Sequence, residues 1–234
     1  MSSESPELVT SSQDSYDTNK TFAELGVDPK LCETLSAQGI TVAFPIQAMT
    51  IHDALAGRDV CGKAKTGSGK TLGFGLPMLQ RVARSEKEII PEGGPARPRG
   101  LVLLPTRELA VQVHEVLEPL GKALGLHVNA VYGGADIEKQ VKSLKKGCDV
   151  IIATPGRLID LGDRGELNVE NLDVLVLDEA DRMADMGFMP QVEWVLRRIA
   201  EHPHQTLLFS ATLDGAIDRL VKRCLLYTSP SPRD

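Results

Sequence analysis

From Thr21 onward, short dense apolar runs alternate with longer stretches in which apolar positions recur every three or four residues. The runs at 59–61, 100–104, 127–132, 149–153, 173–177 and 205–210 are rich in Val, Ile and Leu without in–out alternation. That pattern predicts strands covered on both faces. Between them, 45–55, 69–83, 106–124, 137–145, 189–200 and 215–223 carry a helical period. Alternating β and α predicts an α/β domain, a mostly parallel sheet with helices on both faces. The stretch EGGPARPR at 92–99 reads as a loop between two such units. Trp194 shares an apolar helix face with Val195 and Ile199 and is expected in the core. Met183, Met186 and Met189, near Phe188, are expected to pack there too.

The two ends break the pattern. Residues 1–20 are polar and acidic and predict a disordered lead-in, without the basic start and apolar stretch of a signal peptide. Residues 224–234, CLLYTSPSPRD, read as the in-frame translation of a transposon-end sequencing adapter, a non-native tail. One domain is therefore expected over 21–223, as part of a longer protein.

Composition narrows the class. The 234 residues are 42% hydrophobic and 25% charged, values of a globular chain. The longest apolar runs, at 101–104 and 174–177, are too short for a membrane span. Cys32, Cys61, Cys148 and Cys224 lie far apart with no metal-ligand spacing, which suits a reducing cytoplasm. The net charge of −6 argues against nucleic-acid binding by bulk charge. Any polyanion must be held by a local site.

Such a site is written at 64–71, Ala-Lys-Thr-Gly-Ser-Gly-Lys-Thr, after a predicted strand and before a predicted helix. Gly67 and Gly69 let the backbone turn so that amides from Lys65, Thr66 and Ser68 face phosphate oxygens. The helix N-terminus adds its positive end. Lys70 can reach β- and γ-phosphates, and the Thr71 hydroxyl can ligate Mg²⁺. A second half, Asp178-Glu179-Ala180-Asp181, leaves the carboxyl end of the run 174–177. Asp178 is placed to hold Mg²⁺ through its water shell, and Glu179 to orient or deprotonate an attacking water. Together the halves predict an Mg-nucleotide hydrolase with Lys70, Asp178 and Glu179 as its catalytic groups.

With these motifs in order, the chain resembles the DEAD-box RNA helicases of bacterial type over about 22–223. Pro105-Thr106-Arg107-Glu108-Leu109-Ala110 matches motif Ia, Gly133-Gly134 the glycine doublet, Thr154-Pro155-Gly156-Arg157 motif Ib, and Ser210-Ala211-Thr212 motif III. Pro45-Ile46-Gln47 ends a Q motif, with Phe22 as its isolated aromatic. The resemblance implies a single RecA-like lobe that binds ATP and Mg²⁺, with Gln47 reading the adenine edge and Phe22 supporting its pocket. It further implies RNA-stimulated ATP hydrolysis coupled to local RNA duplex unwinding or ribonucleoprotein remodelling. RNA backbone would be held by Pro105, Thr106, Arg107, Gly133, Gly134, Thr154, Pro155, Gly156 and Arg157, and nucleotide state coupled to RNA by Asp181, Ser210 and Thr212. Arg107 and Arg157 could equally hold loops, and Ser210 and Thr212 could simply cap a helix. This sequence departs from the family at Ile40, where an aromatic is usual, and at Ala43-Phe44, where Pro-Thr is usual. Apolar contact from Ile40 is the expected substitute for stacking. A second RecA-like lobe with arginine fingers, worth ~10³–10⁵ in rate, is expected as the missing partner. The 234-residue chain should then be nearly inactive. A non-catalytic nucleotide- or partner-binding lobe is the alternative for this chain; a DNA-translocating relative is disfavoured by the Q motif and Asp181.

Overall fold

The computed structural model describes residues 20–85 and 94–226. Its strands are β1 (Val60–Lys63), β2 (Gly100–Leu103), β3 (Val128–Val131), β4 (Val150–Ala153), β5 (Val174–Asp178) and β6 (Gln205–Ser210). The helices are α1 (Pro29–Ala37), α2 (Pro45–Leu55), α3 (Lys70–Arg84), α4 (Arg107–Ala123), α5 (Ile137–Leu144), α6 (Pro155–Asp163), α7 (Ala180–Asp185), α8 (Met189–Ile199) and α9 (Ala216–Leu226). The strands form one sheet in the order β1-β6-β5-β2-β4-β3, every pair parallel.

Successive strand residues point to opposite faces, so each apolar run feeds two cores. Val102, Val176, Leu207 and Phe209 pack with Phe74, Leu76 and Leu117 on one side. Leu101, Leu103, Leu175, Leu177 and Leu208 pack with Leu158, Val195 and Ile199 on the other. This is why the runs show no alternation: neither face meets water. Pairing Lys63 with Ser210, Asp178 with Phe209, and Leu103 with both Leu177 and Ala153 brings the carboxyl ends to one rim.

The predicted strands all form, with β1 starting one residue later and running on to Lys63, and with Asp178 inside β5. Helices α1, α6 and α7 were not predicted. All are short, and α1 buries only Leu31 and Leu35. Helix α9 continues to Leu226, past the expected domain edge at Arg223. The lead-in 1–19, positions 92–93 of the expected loop and residues 227–234 lie outside the described residues; from Gly94 the loop is irregular, with one bridge from Ala96 to Leu167. Trp194 packs against the second core at its edge, half-buried, with the Arg198 guanidinium 3.4 Å from its ring centroid. Met183 is buried, whereas Met186 is exposed just past α7. Among the described residues Cys32, Cys61 and Cys148 are free, and no helix is long and apolar enough to cross a membrane.

Phe209 locks the strands beneath the rim. It lies over Gly62, where a Cβ would stand 2.7 Å from the ring, and its centroid is 5.7 Å from that of Phe74. Phe209→Ala should cost about 3–5 kcal/mol, read as a lower urea midpoint at unchanged slope.

Candidate functional site

Strand β1 delivers the glycine loop to the rim, and Gly69 opens α3 from a left-handed conformation, φ 82°. A side chain at Gly69 would stand 2.4 Å from Phe44 Cδ2 and 2.9 Å from Gln47 Nε2, so only glycine fits. Gly69 also has no side chain with which to cap α3, leaving the helix N-terminus open toward the loop. Strand β5 delivers Asp178 to the same rim, two strands away with β6 between.

The two halves meet. Lys70 Nζ lies 2.9 Å from Asp178 Oδ1 and 3.6 Å from Glu179 Oε1, all three side chains buried. The Lys70–Asp178 contact is an ion pair off the angle of a hydrogen bond, and the ammonium nitrogen is buried without a hydrogen-bond partner. The Ser68 hydroxyl is likewise buried and unpartnered. An ammonium held only by carboxylates and a free Ser68 hydroxyl, both at a helix N-terminus, suit a phosphate chain. Glu179 is held from three sides: it accepts from Thr66 Oγ1 at 2.5 Å, faces Lys70, and meets Arg182 at 3.4 Å. Among the described residues it alone, apart from glycines, has positive φ, 53°. That strained backbone holds a carboxylate at the site.

Thr71, half-buried at the first turn of α3, and Asp178 supply a hydroxyl and a carboxylate. Among the described residues no group of three or more His, Cys, Asp or Glu could cage a metal. That donor set fits Mg²⁺, which keeps several waters and takes few protein ligands.

Gln47 lies against the start of α3. It is 2% exposed, its Oε1 accepting from the Phe44 N–H at 2.9 Å and its Nε2 donating to Gly69 O at 2.7 Å. One amide hydrogen and one lone pair remain for a base edge. Phe22 is buried, and its chain neighbours tie to the 40–44 segment, Thr21 bridging Val42 and Lys20 O accepting from Ala43 N–H.

The expected RNA-facing residues gather on the other half of the rim, after β2, β3 and β4. Pro105, Arg107, Gly133, Thr154, Gly156 and Arg157 line one open cleft. Asp160 and Phe188 line it too, and no sequence motif marked them. Thr106 caps α4 by accepting from Leu109 N–H, and Thr154 Oγ1 accepts from Gly133 N–H. Thr154 does not cap α6, so the amides at Gly156 and Arg157 stay open. The two arginines divide the alternatives. Arg157, its side chain 11% exposed, donates to Gln140 Oε1 at 2.7 Å and Ala135 O at 3.0 Å, holding the glycine-doublet loop. Arg107 is exposed, 5.1 Å from the Tyr132 ring, with one long bond to Gly134 O. Ser210 Oγ accepts from Asp181 N–H at 3.2 Å, tying β6 to the acidic turn, while Thr212 is exposed.

A family profile for the DEAD/DEAH box helicases matches residues 44–220. The chain belongs to that family. It is 43% identical over 203 residues to the DEAD-box ATP-dependent RNA helicase CshA of Bacillus cereus, covering 87% of this chain and 37% of that protein. It is 46% identical over 207 residues to the ATP-dependent RNA helicase DeaD of Buchnera aphidicola, covering 88% and 33%. The chain thus spans about a third of the length of the curated relatives it matches. Among solved structures it resembles the RNA-helicase Prp28 from Chaetomium thermophilum bound to ADP, with TM-score 0.78, 32% identity, and coverage of 91% of this chain and 50% of that one. A hypothetical ATP-dependent RNA helicase from Sulfolobus tokodaii gives TM-score 0.74 at 31% identity, covering 85% and 55%. The fold is the RecA-like lobe expected from the sequence.

Burial pushes the Asp178 carboxyl up from 3.8 to about 6, although the Lys70 ammonium pulls it down. A value raised in the folded state favours folding at low pH, and that contribution is lost as pH rises through about 6. Going from pH 5 to pH 7 should cost the unliganded chain about 1 kcal/mol through this group. Asp178→Asn should remove that difference, as urea melts at both pH values would reveal.

Proposed function

We propose that this chain is the ATP-binding lobe of an ATP-dependent RNA helicase that couples hydrolysis to local RNA duplex unwinding or ribonucleoprotein remodelling. The observation that carries the reading is the convergence of Lys70, Asp178 and Glu179 beside the buried, unpartnered Ser68 hydroxyl. Backbone amides of the glycine loop and the Ser68 hydroxyl cradle the phosphates, and Lys70 turns from Asp178 toward the β- and γ-oxygens. Thr71 and Asp178 would hold Mg²⁺, which supplies charge compensation at those oxygens. Glu179, released from Thr66 and Lys70, orients the attacking water and accepts its proton.

RNA backbone is bound along the second half of the rim. The open amides at the α6 N-terminus take a phosphate, and Arg107, the exposed arginine, adds charge. Such contacts follow backbone without reading bases, which lets an acidic protein bind RNA. The Asp181–Ser210 link would carry nucleotide state toward the rest of the enzyme. The free thiols fit a cytoplasmic setting.

A second lobe of the same parent protein would supply the arginine fingers and the remaining RNA contacts. Alone, this chain should bind nucleotide and turn it over very slowly. Two measurements test the reading. Lys70→Ala in this chain should weaken Mg·ATP binding at least tenfold by calorimetry; unchanged affinity would remove the phosphate site from the loop. In the full-length parent, RNA should stimulate ATPase, and Glu179→Gln should cut turnover at least a hundredfold while ATP still binds. Equal stimulation by single-stranded DNA would count against RNA as the partner.

A further inference from the structure

Five large hydrophobic side chains are exposed among the described residues, and three of them, Ile40, Val42 and Phe44, fall within 40–44. Phe44 is the most open, at 56%. Its ring is nevertheless fixed. The Cδ2–Cε2 edge abuts Gly69, where an added Cβ would lie 2.4 and 3.2 Å from those atoms. Its backbone N–H donates to Gln47 Oε1, and the same Gln47 amide donates on to Gly69 O. An aromatic face thus stands at the lip of the phosphate cradle, anchored along one edge and bare over the rest. Leaving such a ring in water forfeits burial, unless a ligand covers it. Ile40, at the position where DEAD-box proteins carry an aromatic, is aliphatic and has no π-face to offer.

We infer that Phe44 supplies the face on which the adenine of ADP or ATP stacks, while Gln47 beneath it selects the base edge. The assignment rests on the adenine-nucleotide reading above and adds the residue that holds the base. The platform starts at Gly69, which opens the phosphate-binding helix, so one nucleotide can reach both. Stacking on an aromatic side chain holds a base through dispersion and its π-face. The polar choice of adenine is then left to the remaining donor and acceptor of Gln47.

Calorimetric titration of the chain with ADP and with tripolyphosphate separates base from phosphate binding. Phe44→Ala should weaken ADP about five- to a hundredfold and leave tripolyphosphate within twofold; Phe44→Tyr should keep both. Adenine proton resonances of bound ADP should move upfield in the wild type and in Phe44→Tyr, and lose that ring-current shift in Phe44→Ala. Equal losses for ADP and tripolyphosphate would overturn the inference, because Phe44 would then act only by shaping the loop at Gly69. So would an Ile40→Ala protein that loses ADP while Phe44→Ala does not. A wild type that binds neither ligand would overturn the nucleotide reading itself, and this inference with it.

Discussion

Three charges share one dry pocket at the rim of the sheet: an ammonium from the start of α3 and two carboxylates from the end of β5. Taking charges out of water costs several kcal/mol each after relaxation, and mutual attraction offsets it only with good geometry. Here the geometry is incomplete, since the ammonium keeps unmade hydrogen bonds and Glu179 sits in a strained backbone conformation. A pocket assembled for stability alone would be better served by apolar side chains. The incomplete satisfaction is understandable if a triphosphate and its cation are the missing partners. The sheet has to be rigid for this to work, and Phe209, wedged between Gly62 and Phe74, supplies rigidity below the pocket.

The rim separates two tasks by strand. Beyond β1, β5 and β6 lie the groups suited to phosphate chemistry; beyond β2, β4 and β3 lie loops with open amides and one exposed arginine. The bond from Asp181 N–H to Ser210 Oγ belongs to the first set, and it ties the last strand to the acidic turn. The second set is held by its own internal bonds. Arg157 clamps the glycine doublet through Ala135 O, and Thr154 accepts from Gly133 N–H. A loop fixed this way presents backbone groups in one arrangement, and for following a sugar-phosphate chain that counts for more than net charge.

Residue type and spacing settled a great deal. Short runs of Val, Ile and Leu without alternation, alternating with longer helical patterns, fit strands buried on both faces under helices, so the parallel α/β sheet was legible. The phosphate loop was legible because glycines before a Lys-Thr pair suit one backbone shape. The six-residue helix α7 left no trace, because fewer than two turns show no period. Which strand lies next to which belongs to the tertiary structure, since a parallel connection can pass over neighbours; only folding brings residues 70 and 178 within 2.9 Å. The fold likewise decided roles among residues of one type. Arg157 is drawn inward by Gln140 and Ala135 O while Arg107 is left at the surface, Phe22 is buried while Phe44 is bare, and Gln47 is enclosed by the loop it braces. Those differences arise from which neighbours compete for the same donors and the same apolar surface, and neighbours distant in the chain are fixed by packing alone.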